Sequence, residues 1–269
     1  GNDIENGPEN VAKIIKEINP DIILMIETYG SGPFIADYLN CNFHLVASKN
    51  TSLNDPSVNL SVFSKYSFGK RIDTEYPFYL GGIEIPINGK IIRFFSNWFH
   101  YLPWNNEPEK MGKSVEELLE WEKTESRHEM IQKVLPYLKK FANETDSIPM
   151  IFGGDMNTLS HLDWTNKTKK FHNNLVVPWN ATEILADLGL IDSYRKENPN
   201  PITHPGITWD KKGRKDSHRI DYIFYKGKSI KSIKSNSYNA YFNESIIIND
   251  KQIPYPSDHG IVVTTFEFR

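Results

Sequence analysis

Residues 149–157 read Pro-Met-Ile-Phe-Gly-Gly-Asp-Met-Asn. Pro149 to Phe152 is an apolar run too short for a helix and suits a strand. It flows into Gly153-Gly154-Asp155, so an acid and, two residues later, the amide of Asn157 stand at a strand end. On the upstream side, Pro8 opens a helical repeat of Val11, Ile14, Ile15 and Ile18 that Asn19-Pro20 stops. Asp21 to Ile26 is a second apolar strand, buried on both faces if its sheet is covered, and it ends at Glu27. A loop, Thr28 to Gly32, leads to a short helix from Pro33 to Leu39. Phe43–Ala47, Leu60–Ser64 and Gly81–Ile87 read as strands, and Asn88-Gly89 as a tight hairpin turn into the return strand Lys90–Trp98. Pro103 to Lys113 reads as a surface loop, after which Ser114 and Glu117 form a capping box. That box opens a helical stretch to about Phe141, broken near Lys123 and kinked by Pro136. On the downstream side, Thr182–Leu188 is a helix capped by Gly189, and Arg219–Tyr225, Ile230–Tyr238 and Ile261–Phe268 are strands. The order predicts one mixed α/β domain over residues 1–269, with helices covering sheets.

Composition agrees with a folded chain. Of 269 residues, 39% are hydrophobic and 13% aromatic, which excludes a disordered composition. The longest unbroken apolar run, Ile22–Ile26, is far short of a membrane span. A single cysteine, Cys41, excludes an intrachain disulfide framework and a cysteine-rich zinc site, and is expected to be buried and inert. The net charge of −3 argues against nucleic-acid binding by bulk positive charge, but not against a nuclease with a local basic cleft or a metal. The lysine-rich runs Lys167–Lys170 and Lys211–Lys215 read as solvated loops.

Acidic and amide side chains recur at strand ends: Glu27, Asp155 with Asn157, Asp221, and Asp258 with His259. Strand-end loops are where α/β proteins place their sites. Oxygen ligands without cysteine suit a hard divalent cation, Mg²⁺ or Mn²⁺. Each feature alone has a plainer reading. Gly-Gly-Asp is a common turn, an aspartate often caps, a histidine often fills a core, and Asp221 between Ile220 and Tyr222 suits a buried, hydrogen-bonded acid.

Taken in order, Ile26-Glu27-Thr28-Tyr29, Leu60-Ser61-Val62-Phe63-Ser64-Lys65-Tyr66, Gly154-Asp155-Met156-Asn157, Arg219-Ile220-Asp221-Tyr222-Ile223 and Ser257-Asp258-His259 resemble the motifs of the endonuclease/exonuclease/phosphatase superfamily, the deoxyribonuclease I-like fold. Gly153 to Trp164 is most similar to a bacterial branch of phosphoesterases without assigned substrates. The resemblance implies a four-layer α/β/β/α sandwich and Mg²⁺-dependent hydrolysis of a phosphate ester. It implies that Glu27 binds the metal with Asp258 near it. Asp155 and Asn157 would orient the attacking water or hold a second metal. His259 would contact the reacting phosphate or take a proton, with Asp221 orienting its imidazole. His100 matches the family's second, phosphate-contacting histidine, although the usual Asn-Thr-His stands here as Trp98-Phe99-His100 with Asn97 one place off. Either His259 or Asp155 can be the base. Trp209 and Arg219 are candidates to line the cleft, against the plainer readings of a core tryptophan and a surface arginine. His161, with Asp163 and Trp164, extends the Asp155 motif toward the pocket, and Arg127 suits a structural ion pair.

The family also opens with a strand carrying a metal-binding asparagine. Here the chain begins at Gly1, and only Asn2 precedes the first helix apart from the turn residue Asn6. The expectation is therefore a natural protein that starts earlier, with that strand. A monomer is expected, and the compartment, cytosolic or exported, stays open. The acidic balance and the Trp-bearing segment Leu102–Trp121 favour a phosphodiester of a small molecule or lipid headgroup over DNA or RNA. A catalytically silent binding module is the contrasting class, and the full set of site residues argues against it.

Overall fold

The computed structural model describes residues 6–53, 55, 58–209, 217–238 and 245–268. The first half forms α1 (Gly7–Ile18), β1 (Ile22–Met25), α2 (Gly32–Leu39), β2 (Asn42–Val46), β3 (Leu60–Ser64), β4 (Arg71–Ile72), β5 (Leu80–Ile87), β6 (Lys90–Trp98) and α3 (Val115–Glu122). There follow α4 (Ser126–Asn143), β7 (Met150–Asp155), α5 (Asn180–Asp187), β8 (Ile191–Asp192), α6 (Ser193–Glu197) and β9 (Asp221–Lys226). β10 (Ile230–Tyr238), β11 (Ser245–Ile248), β12 (Lys251–Pro254) and β13 (Ile261–Phe268) complete the order. Asn2 and the Lys211–Lys215 run lie outside the described residues.

The local signals act as read. Both reciprocal hydrogen bonds of the Ser114–Glu117 box are made, at 3.2 and 2.7 Å. α1 stops where Asn19 turns left-handed (φ 55°), and Asn88 and Gly89 both take positive φ in the hairpin.

Six strands form one sheet in the order β4-β5-β6-β7-β9-β8, with β6 and β7 parallel. β1-β3-β2 and β10-β13 form two smaller sheets. Three apolar interfaces stack these parts into layers. Ile35 and Ala36 of α2 meet Phe63 and the outer face of β1. Leu60, Val62, Ile85, Phe94 and Ile151 fill the space between the sheets. Ile131, Val134 and Leu138 of α4 and Leu185 of α5 cover Phe95, Phe152 and Phe224. Helices, sheet, sheet and helices are the four-layer sandwich that the resemblance implies.

β1 departs from its reading. Its inner side chains Ile22 and Leu24 and its outer ones Ile23 and Met25 all meet apolar neighbours, yet all four residues are only half-buried. Solvent reaches them along the strand edge: among the described residues β1 pairs only with β3, and β13 only with β10. β1 rests on β6 and β7, and β13 on β9. Cys41 is likewise half-buried rather than buried. Among the described residues no helix is long and apolar enough to cross a membrane.

Candidate active site

The site begins with two strands that meet acid to acid. Asp155 ends β7 directly opposite Asp221, which starts antiparallel β9. Like charges in facing positions are unfavourable, so this register needs compensation. On its other side β7 lies against β6, and Gly154 makes that approach possible. Its φ of +155° suits glycine, and a Cβ there would stand 1.9 Å from the Asn97 carbonyl oxygen.

His259 supplies the compensation. Its Nδ1 lies 3.0 Å from Asp221 Oδ2, and the ligand atoms of Asp155, Asp221 and His259 all fall within 4.8 Å of one another. Thr208 staples the two sides together. Its hydroxyl accepts the backbone N–H of Ile220 and Asp221, both at 3.0 Å, and its carbonyl accepts Gly260 N–H. Ser257 Oγ accepts His259 N–H, and the Tyr255 hydroxyl donates to the His259 carbonyl.

The charges are strongly coupled. Burial first, then the Asp221 carboxylate, raise the pKa of Asp155, with Glu27 adding to the rise and His259 and the Asn157 amide opposing it. Burial works against a charged His259. Asp221, by charge and by hydrogen bond, outweighs it, helped by Asp155 and Asp258, and the pKa of His259 rises. Acid therefore exceeds base in a half-closed space. Hard carboxylate oxygens in such excess fit a divalent cation of the Mg²⁺ type.

Two residues at the site hold left-handed backbone: Glu27 at φ 52° and Asn157 at φ 47°. Such a conformation costs about 1–3 kcal/mol at a residue such as Glu27 and less at an asparagine, which visits it routinely. Asn59 Oδ1 accepts Glu27 N–H at 3.0 Å while its amide donates to the Phe78 carbonyl. Asn157 gives its backbone N–H and its amide to the two oxygens of Asp155, at 2.8 and 2.6 Å, and the same amide donates to the Phe99 carbonyl. Behind it, buried Arg127 donates to the Asn157 carbonyl. Arg127 thus serves a backbone carbonyl rather than the structural ion pair read for it.

Of the sequence-predicted residues, Asp155, Asn157, Asp221 and His259 come together, with Glu27 and Asp258 within electrostatic reach. His100 follows Phe99, whose backbone bonds both Asp155 and Asn157. Trp209 bridges to His259 through the backbone and carries the Trp104 ring edge-on at 5.3 Å. Arg219 is a correction. It is neither cleft-lining nor on the surface but 4% exposed, bound to Asp163 at 2.8 Å and Asp192 at 2.6 Å. His161 is turned toward α5, where Thr182 Oγ1 meets both its backbone N–H and its Nδ1. The anchors Thr208, Asn59 and Arg127 went unread as site parts, because a lone Thr, Asn or Arg carries no spacing signal.

The chain belongs to the Endonuclease/Exonuclease/phosphatase family, matching it over residues 4–259. Enzymes of this family hydrolyse phosphoesters and generally use divalent metal ions. It is 28% identical to the Caenorhabditis elegans "Uncharacterized protein F14F9.5" over 100% of this chain and 88% of that one. It shares its fold with the mannosyl-6-phosphatase of Bacteroides thetaiotaomicron (TM-score 0.61, 16% identity, 98% of this chain and 91% of that one). The same holds for D. rerio TDP2 complexed with single strand DNA product (TM-score 0.59, 13% identity, 98% and 92%).

Proposed function

We propose that this chain hydrolyses a phosphodiester with the aid of Mg²⁺ or Mn²⁺, and that the ester belongs to a small molecule or lipid headgroup. The observation that carries the reading is the Asp155–Asp221–His259 cluster with Asn157 bonded to Asp155. A phosphodiester anion repels hydroxide, so catalysis needs a positioned water, a proton acceptor and neutralisation of charge.

Asp221 holds the His259 imidazole by its Nδ1, which leaves Nε2 to face a reacting group. Asn157 fixes both Asp155 oxygens and so the direction of their free lone pairs. Either Asp155 or His259 takes the proton of the attacking water as its oxygen bonds to phosphorus. The phosphorus–oxygen ester bond breaks, and the leaving oxygen takes a proton from solvent water or from the group that accepted the first one. His100 contacts a phosphoryl oxygen. Glu27 and Asp258 offer the carboxylates that would hold the cation, which supplies charge neutralisation when bound.

A net charge of −3, and the commitment of buried Arg127 and Arg219 to protein partners, support a substrate other than a polyanion. One observation supports the second reading, a nuclease: the fold is shared with D. rerio TDP2 complexed with single strand DNA product.

The deciding assay is release of p-nitrophenol from bis-p-nitrophenyl phosphate with Mg²⁺ or Mn²⁺ against a chelated control, followed by lipid headgroup esters, DNA and RNA. Asp155→Ala or His259→Ala is expected to lower turnover by about 10³-fold or more with the fold intact. Faster turnover on DNA or RNA would favour the nuclease. Absence of metal-dependent turnover on all of them would leave the silent binding module.

A further inference from the structure

His100 stands two residues past the end of β6 in a fixed frame. Its ring meets Trp98 edge-on at 5.7 Å and Tyr101 at 4.3 Å. Its backbone N–H points at Met130 Sδ. Two groups approach one ring nitrogen: Ser126 Oγ stands 2.6 Å from Nδ1, and the Leu102 backbone nitrogen donates to it from 3.4 Å.

This crowding distinguishes the tautomers. A backbone N–H can only donate, whereas a hydroxyl can turn and do either. A hydrogen on Nδ1 would face the Leu102 hydrogen. A lone pair on Nδ1 accepts from Leu102 and from Ser126 together, which leaves the ring hydrogen on Nε2. Ser126 is the first residue of the 18-residue α4, and the partial positive charge at a helix start favours a lone pair over an N–H at that place. Burial lowers the pKa of His100 and Arg127 adds to this, against Glu125, in keeping with a neutral ring. The same helical turn reaches the other catalytic loop. Arg127 donates from its backbone to Leu102 O at 3.0 Å and from its side chain to the Asn157 carbonyl.

We propose that Ser126 is a positioning residue which, with the Leu102 amide, fixes neutral His100 as the Nε2–H tautomer, making His100 a hydrogen-bond donor to the phosphoryl oxygen and not a proton acceptor. The proposal rests on the phosphoester reading for its consequence, since it leaves proton acceptance to His259 or Asp155. The tautomer itself is independent of any substrate.

The test is long-range ¹H–¹⁵N correlation of the histidine rings near pH 7, with His100 assigned through His100→Gln. The wild-type protein is expected to show a protonated, pyrrole-like Nε2 and an unprotonated Nδ1 at His100. In Ser126→Ala the two shifts move toward each other as the tautomers mix, and Ser126→Thr restores them. On bis-p-nitrophenyl phosphate, Ser126→Ala is expected to lower kcat about tenfold with KM little changed, and Ser126→Thr to recover it. A wild-type Nδ1–H tautomer, or a doubly protonated ring, overturns the proposal. So does a Ser126→Ala spectrum identical to wild type, or a kcat that Ser126→Thr leaves as low as Ser126→Ala does. If wild-type protein turns over no phosphoester while the ring shifts behave as stated, the functional reading fails and the tautomer assignment stands.

Discussion

Arg219→Leu separates a residue that binds substrate from one that holds the fold beneath it. Arg219 is 4% exposed, and its guanidinium spans two carboxylates, Asp163 through Nε at 2.8 Å and Asp192 through Nη1 at 2.6 Å. Arg195 shares Asp163 at 2.7 Å, and its backbone N–H bonds the other oxygen of Asp192 at 3.1 Å. Burial works against the charge of Arg219, but Asp163 and Asp192 outweigh it and raise its pKa well above the usual value. Its Cζ also lies 4.6 Å from the Tyr222 ring centre.

Leucine in its place leaves Asp192, whose side chain is 1% exposed, with a buried charge and one backbone partner. Breaking one half of a buried pair costs about 3–5 kcal/mol. For a chain of this length each kcal/mol lowers the melting midpoint by about 2–4 °C, so the midpoint should fall by about 6–20 °C. Urea unfolding followed by circular dichroism gives the free energy, and turnover well below the new midpoint gives KM. Adding Asp192→Leu to Arg219→Leu should recover part of the loss, because the orphaned charge is then gone. A loss below about 1 kcal/mol together with a large rise in KM would refute this reasoning and return Arg219 to the cleft.

Asp221→Asn should keep the fold but lower kcat by about 10²–10⁴-fold, since an amide loses the charge that supports His259 and can present the wrong partner to Nδ1; unchanged turnover would remove Asp221 from the mechanism. Mg²⁺ at about a hundred times its Kd should stabilise the protein by about 2.7 kcal/mol over a chelated sample, and Glu27→Gln should shrink that increment; equal shifts in both proteins, read by thermal denaturation, would exclude Glu27 as a ligand. Burial, with Arg71 adding, lowers the pKa of His44 from 6.5 to about 4. The unfolded chain then takes up the proton first, so stability present above pH 6.5 is lost toward pH 4, by about 2–3 kcal/mol at pH 4.5; His44→Gln should flatten that part of the curve, and parallel wild-type and variant curves would contradict it. Gly154→Ala should abolish turnover and destabilise by about 3 kcal/mol or more, as its methyl group meets Asn97 backbone that cannot turn aside; a soluble variant of wild-type midpoint would show that β6 yields.

What could be read from the sequence divides by distance along the chain. Helix starts, the Asn88-Gly89 turn and most long strands depend on neighbouring residues and lie within a residue or two of their reading, whereas β7 continues through Gly153-Gly154 to Asp155, three residues past its reading. The β11–β12 hairpin was missed although its Asn249-Asp250 turn takes positive φ at both positions, a signal open to the same argument. β4, β8 and α6 are two to five residues long and owe their shape to the strands beside them, so no periodicity announced them. At the site, acids at strand ends were legible because the resemblance ordered them. The partners that hold them were not. Thr208 meets Asp221 across 13 residues, Asn59 meets Glu27 across 32, and Arg127 meets Asn157 across 30. Arg219 was misread for the same reason. Two residues before Asp221 in sequence, it faces Asp163 and Asp192 instead.

Local rules fail together at one place in this fold. Two aspartates face each other across a strand pair. A glutamate holds left-handed backbone, and a glycine stands where any side chain would strike the neighbouring strand. Each feature is unfavourable alone, and nothing in the three apolar interfaces needs any of them. Strain of that kind persists when the surrounding structure fixes it, and here the fixing groups can be named: Asn59 under Glu27, Thr208 under Asp221, and Arg127 under Asn157. A stable sandwich would be better served by apolar residues at Asp155 and Asp221. Acids held in a form that raises the pKa of one of them and of its histidine neighbour are what the proposed site, which would accept a cation and move a proton, requires.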